Sequence, residues 1–215
     1  GEVINNELGL EFIGTGFLLE DGRFVTARHV VEPWYYFKHI PFYKKVNEYA
    51  FNGGEVSAQY QIISPTGRKY SFTNRQIICN RANDRTFTEN GITYTEATSD
   101  RYDWAYFQTS ESGGLKFDNG LSGTLEQGMQ LAILGYPKGQ GADDIDNLHP
   151  SLSQGITTFS GVNTNGMIIS SNIDIIGGNS GSPVLAKKGD GYVVVGVVSG
   201  LIYQKGVIVP VREVR

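Results

Sequence analysis

The chain is a succession of short apolar runs separated by glycine-rich turns. Residues Leu10 to Leu19 read as a strand that Gly14 and Gly16 allow to bend sharply. Glu20-Asp21-Gly22-Arg23 is a hairpin turn in which Asp-Gly supplies the positive φ, and Phe24 to Ala27 returns as the partner strand. Val56 to Ile63 and Lys69 to Phe72 make a second hairpin around Ser64-Pro65-Thr66-Gly67. Gln76 to Cys79, Gly91 to Thr95 and Trp104 to Gln108 add further strands. After a glycine- and serine-rich stretch the apolar runs resume at Met129 to Gly135, Gly155 to Phe159, Gly166 to Ser170, Val184-Leu185, Tyr192 to Val198 and Gly206 to Val209. No stretch longer than about ten residues carries a convincing helical period. The pattern predicts an all-β chain in two halves, residues 1–109 and 124–215, joined by a connector over 110–123.

One segment does not fit this rhythm. Residues 33–54 hold Pro33-Trp34-Tyr35-Tyr36-Phe37, Pro41-Phe42-Tyr43 and Tyr49-Ala50-Phe51 without a clean period. The expectation is an aromatic insertion packing its rings on the outside of the first half. A lid or a partner surface is the functional alternative.

Composition narrows the function classes. A net charge of −4 with no basic block leaves no nucleic-acid footprint. No apolar run approaches the roughly 18 residues of a membrane span, and no signal-peptide pattern opens the chain. Cys79 is the single cysteine, so no internal disulfide is possible. That usage points to a reducing, cytoplasmic setting, with the bacterial periplasm as the alternative. Cys79 lies in the apolar run Gln76-Ile77-Ile78-Cys79 and is expected to be a small packed side chain, not a reactive thiol.

The stretch richest in chemistry is Gly177-Gly178-Asn179-Ser180-Gly181-Ser182-Pro183-Val184. Glycines at 178 and 181 permit a tight turn that pushes one hydroxyl outward and aims backbone amides beside it, as a serine nucleophile needs. By itself Gly-Asn-Ser-Gly is also ordinary turn chemistry. The order of the other candidates decides the matter. His29, Asp103 and Ser180 occur in that sequence, and His29, His39 and His149 all precede Ser180. An α/β-hydrolase needs its histidine after the serine, and Ser182 breaks the Gly-x-Ser-x-Gly elbow. A subtilisin order would need an aspartate before His29, and Asp21 sits in a hairpin turn. Metal and phosphate readings fail: the histidines and Cys79 are not at zinc-ligand spacing, and Gly135 to Gly141 lacks the Gly-Lys-Ser/Thr of a P-loop. No cofactor is expected. Asp143, Asp144 and Asp146 read as a solvated acidic loop, with weak calcium binding the lesser option.

Gly14-Thr15-Gly16-Phe17, Val25-Thr26-Ala27-Arg28-His29-Val30-Val31, Asp103-Trp104-Ala105 and Gly178-Asn179-Ser180-Gly181-Ser182-Pro183 resemble the trypsin/chymotrypsin superfamily of serine peptidases. Asn179 before the serine, and Ser153-Gln154-Gly155-Ile156 after Gly135-Tyr136-Pro137, are most similar to the bacterial Deg-type members. The resemblance spans about residues 10–210, and the aromatic insertion accounts for an unusually long interval between His29 and Asp103. It implies two six-stranded Greek-key β-barrels, with His29 and Asp103 from the first and Ser180 from the second meeting in the cleft. It also implies an oxyanion hole at the backbone of Gly178, Asn179 and Ser180.

Substrate selection follows from the same resemblance. Asp174, six residues before Ser180, takes the position that floors the primary specificity pocket of trypsins, which implies Arg or Lys at P1. Deg-type members usually lack that charge and take small apolar residues, and Ile175-Ile176 could instead leave Asp174 solvated on the loop. Ser199 would hydrogen-bond the triad carboxylate, Gly200 would leave the pocket mouth open, and Gly206 would line the opposite wall. The aromatic residue that trypsins carry between that serine and glycine is missing. Asn179 is neutral where trypsins carry an aspartate that pairs with a newly cut N-terminus, so no N-terminal cleavage should be needed for activity. The expected substrate is a polypeptide. Two rival readings are a protease-fold binding module and a peptidase that waits for a partner domain to order its loops.

Overall fold

The computed structural model describes residues 14–136, 153–171 and 179–215. Strands β1 (Gly16–Leu18) and β2 (Arg23–Thr26) pair antiparallel across a turn in which Gly22 takes a φ of 87°. A helical turn α1 (Arg28–Val31) follows at once, then a 3-10 turn (Pro33–Tyr35) and helix α2 (Pro41–Phe51). β3 (Gln59–Ile63) and β4 (Lys69–Thr73) form one two-stranded hairpin, and β6 (Asp84–Glu89) with β7 (Ile92–Ala97) forms another. β5 (Ile78–Cys79) and β8 (Ala105–Gln108) complete a four-stranded sheet in the order β1-β2-β8-β5.

The remaining strands are β9 (Gln130–Gly135), β10 (Ser153–Val162), β11 (Ile168–Ser171), β12 (Pro183–Lys188), β13 (Gly191–Ile202) and β14 (Lys205–Pro210). They close into a barrel in the order β10-β11-β14-β13-β12-β9. Its interior is filled by Leu131, Ile133, Ile168, Val184, Val195 and Ile208, all fully buried or nearly so. A second cluster draws on both halves: Phe17, Leu19, Val25 and Trp104 pack with Met167, Val194, Val207 and Val209. This shared apolar seam joins the four-stranded sheet to the barrel, since separating them would expose side chains that are now dry. The connector is threaded into both, bridging Leu19 through Leu115 and Val194 through Phe117. The mostly-β architecture is the one expected, with one closed six-stranded barrel in the second half and a four-stranded sheet with two separate hairpins described in the first.

Two details differ from the sequence reading. Helix α2 was not legible, although Tyr43, Val46 and Asn47 form its buried face at helical spacing. Pro41 occupies its first turn, where the missing N–H costs nothing, so this proline acts as a start signal. β6 was overlooked because five of its six residues are exposed and polar alternation gave no apolar face. Asn90-Gly91, with φ values of 53° and 77°, makes the tight turn that folds β6 onto β7. The aromatic segment packs partly as expected, with Trp34, Tyr43 and Val46 in one buried cluster. Leu10 to Ile13, the acidic loop Asp143–Asp146 and Asp174 to Gly178 lie outside the described residues.

Candidate active site

His29 sits on α1, three residues past the end of β2. Its ring is held from one side by a carboxylate. Asp103 Oδ2 accepts from His29 Nδ1 at 2.7 Å, and Oδ1 accepts from the His29 backbone N–H at 2.8 Å. Because an ionised carboxylate only accepts, Nδ1 carries the proton and Nε2 is left as the basic nitrogen. Asp103 caps the 3-10 turn Asp100–Tyr102, and Ser199 of β13 donates its hydroxyl to Oδ2 at 2.6 Å. The Asp103 carboxylate is only 2% exposed yet has three donors. Burial alone would raise its pKa, but His29 and these hydrogen bonds outweigh that and hold it below the usual carboxylate range. For His29, burial pushes the imidazole pKa down, while Asp103, with a smaller contribution from Asp100, raises it above the ordinary value. Tyr36 and Phe37 meet the imidazole edge-on, with centroids 5.9 and 5.8 Å away.

The residue before His29 is anchored just as firmly. Arg28 is 1% exposed and makes a bidentate pair with Asp84, both bonds at 2.7 Å, plus a third bond to Glu32 at 2.7 Å. Glu32 is shared with Arg81, and the Arg28 guanidinium stacks on Tyr35 and Tyr36 at 5.3 and 5.9 Å. A buried network of this kind is costly unless every charge is matched, and here two arginines face two acids. Cys79 borders it: burial, then Glu32, pushes the thiol up to about 11, so it stays protonated and unreactive at neutral pH.

Ser180 arrives from the barrel side. Its carbonyl accepts from Thr15 N–H at 2.8 Å, and the Thr26 hydroxyl donates to Thr15 O at 2.8 Å. Gly181 has a φ of 85°, and a Cβ there would lie 2.1 Å from Thr15 O and 2.8 Å from Ala27 N. Only glycine allows the serine turn to press this closely on the β1–β2 end that leads into α1. The Ser180 backbone and His29 are thus brought to the same junction between sheet and barrel. Asn179 is 7% exposed, and its Oδ1 lies with Ser182 Oγ against Gly135; neither atom has a hydrogen-bond partner among the described residues. Gly178 and Asp174 are outside the described residues.

A cavity of about 230 Å³ opens beside His29, Ser199 and Gly200. Gly200 follows a β-bulge in β13, and no heavy atom lies within 4 Å of where its Cβ would be. Gly206 is buried in β14, paired with Leu201 and Ser170, one residue from Val207 on the cavity wall. Tyr36, Phe37 and Asp100 also line the cavity and were not singled out from the sequence. For Asp100 a signal existed: it lies three residues before Asp103, and a 3-10 turn brings residues i and i+3 to one side.

The chain spans only about half the length of two proteases whose folds it shares. The serine endoprotease from Yersinia pestis aligns with a TM-score of 0.56 and 14% identity, over 96% of this chain and 56% of that one. The HtrA-type protease AlgW with a decapeptide gives 0.53 and 14%, over 92% and 48%. Human heparin-binding protein gives 0.53 and 12%, over 94% and 82%. Identities this low carry the fold and not the activity. No curated protein sequence matches the chain. The trypsin-like peptidase domain family matches residues 14–197, most of the chain, and with the double-unit β fold and the order of its motifs this chain belongs to that family.

Proposed function

We propose that the chain is a serine endopeptidase working through His29, Asp103 and Ser180 by way of an acyl-enzyme. Ser180 Oγ attacks the substrate carbonyl while His29 Nε2 takes its proton; the imidazolium then returns that proton to the leaving amine. Water deacylates the serine by the same relay in reverse. Asp103 holds the productive tautomer and stabilises the imidazolium. The amides of Gly178, Asn179 and Ser180 are assigned to the oxyanion, and losing one such donor typically costs about 3 kcal/mol. Substrate backbone is assigned to Ser199–Gly200, beyond the point where β12 stops pairing with β13 at Val197. The Ser180 hydroxyl makes no hydrogen bond among the described residues, and catalytic hydrogen bonds are commonly loose before substrate arrives.

The observation that carries the reading is the two-point clamp of His29 by a buried, ionised Asp103. A satisfied structural histidine does not need its carboxylate partner supported by a further serine from the other unit. The fold alone would not decide between turnover and binding, since one structural relative is named for binding heparin. Cleavage-site profiling on a peptide library tests the proposal: the parent chain should cut and Ser180→Ala should not. An Arg or Lys preference at P1 that disappears in Asp174→Ala would assign the pocket floor, and an unchanged profile would remove Asp174 from it.

A further inference from the structure

The cavity beside His29 has walls of three kinds. Tyr36 and Phe37 form an aromatic side, Leu201, Ile202 and Val207 an aliphatic side, and Asp100 contributes a carboxylate. Asp103, the other acid facing this space, is fully engaged by His29 and Ser199. Asp100 is exposed, and its carboxylate has no ion pair or side-chain hydrogen bond among the described residues. The cation next to it in sequence, Arg101, turns away to Glu213 at 3.1 Å. Several acids near the surface are matched with cations, as Glu96 is with Lys38, Glu111 with Arg68 and Asp118 with Lys188. Glu20, Glu48, Glu126 and Asp190 likewise have no ion pair among the described residues, but of these acids Asp100 is the one that lines the cavity and stands over an apolar slot.

A slot of about 230 Å³ with aliphatic and aromatic walls and one carboxylate suits a side chain with a long apolar stem and a cationic head. We propose that this cavity binds a lysine or arginine side chain of the polypeptide substrate, upstream of the cut, with Asp100 as its ion-pair partner and Tyr36 and Phe37 as its walls. The inference rests on the peptidase reading, which runs the substrate past Ser199 and Gly200 at the cavity mouth. The preference at the attacked residue itself, which the sequence ties to Asp174, is tested apart from it by holding that residue fixed. Asp100 is thereby a specificity-determining residue and not a catalytic one. The aromatic segment acquires a role beyond packing, because it supplies a wall that a cation can also approach through the ring faces.

The test rotates lysine, norleucine and glutamate through three positions upstream of a fixed cleavage residue and measures kcat/KM. Norleucine keeps the apolar stem and removes the charge, so the lysine-to-norleucine ratio within each protein cancels any general loss of folding. At one position the parent should favour lysine over norleucine by about tenfold, the sum of a partly screened ion pair and a cation–π contact. Glutamate should be the poorest there, and Asp100→Asn should bring the ratio below about twofold. No lysine preference at any position, or one that survives in Asp100→Asn, would overturn the inference. If no peptide is cut, the peptidase reading fails by itself. The site is then judged by peptide dissociation constants on Ser180→Ala measured by NMR titration, where the same ratio supports it and equal affinities overturn it.

Discussion

Replacing Arg28 by methionine perturbs the framework behind His29 without touching the imidazole. The substitution keeps most of the apolar stem but removes three charge-assisted hydrogen bonds, two to Asp84 and one to Glu32. Glu32, 4% exposed, would keep Arg81 as its cation; Asp84 would be left with a largely shielded carboxylate and no cation. Breaking a buried pair in this way costs about 3–5 kcal/mol, because the abandoned charge stays desolvated. For a chain of this size each kcal/mol moves Tm by roughly 2–4 °C, so thermal denaturation should show a fall of roughly 6–20 °C. Adding Asp84→Leu removes the stranded charge, and the double variant should recover most of the loss, to within about 2 kcal/mol of the parent. Since Arg28 also supports Tyr36, which meets His29 edge-on, kcat should fall in the single variant and partly return in the double. A double variant as unstable as the single one, or a single variant within about 1 kcal/mol of the parent, would refute the reasoning.

Other consequences are equally accessible. His29 must be neutral to act as a base and its pKa is raised, so kcat/KM should climb with pH and level off only above the ordinary imidazole value of about 6.5. Asp100→Asn removes one of the raising charges, so the acid limb should move to lower pH; a shift to higher pH would contradict the assignment. The same groups affect stability with opposite signs. The raised His29 contributes most below about pH 6.5, and that contribution is lost as pH rises through its folded value; the lowered Asp103 contributes above about pH 3.9 and is lost as pH falls through its folded value. Calorimetry across pH should find both edges weakened in Asp103→Asn. Gly181→Ala forces a Cβ onto Thr15 O in a left-handed backbone and should cost about 2–5 kcal/mol in a denaturant titration, together with activity. Tyr203 and Gln204, at φ 49° and 62°, make the two-residue β13–β14 turn without glycine or asparagine, so Tyr203→Asn with Gln204→Gly should stabilise by about 1–2 kcal/mol.

What the sequence disclosed depended on how local each signal was. β13 could be read because the Val193–Val198 run is apolar and β-branched, and the hairpin at Gly22 because Asp-Gly has few other uses. Helix α2 stayed hidden because its hydrophobic pattern is diluted by Tyr49 and Phe51, which are not among its buried residues. His29, Asp103 and Ser180 were legible through their order and flanking motifs. The Arg28–Glu32–Arg81–Asp84 network was not, since its members lie up to 56 residues apart and look like ordinary surface charges one at a time. The spacing of Asp100 to Asp103 is readable, but its lack of a cation is not: nothing in Asp100-Arg101-Tyr102 says that Arg101 pairs with Glu213, 112 residues away.

The central claim is that Ser180 is a nucleophile made reactive by His29. Fluorophosphonate labelling followed by mass spectrometry tests it most directly, because the adduct forms on an activated serine and reports its position. The account expects one adduct on Ser180 in the folded parent chain, absent in Ser180→Ala and lost almost entirely in His29→Ala. A folded parent that takes no label, or labelling of Ser180 that is indifferent to His29→Ala, would contradict it.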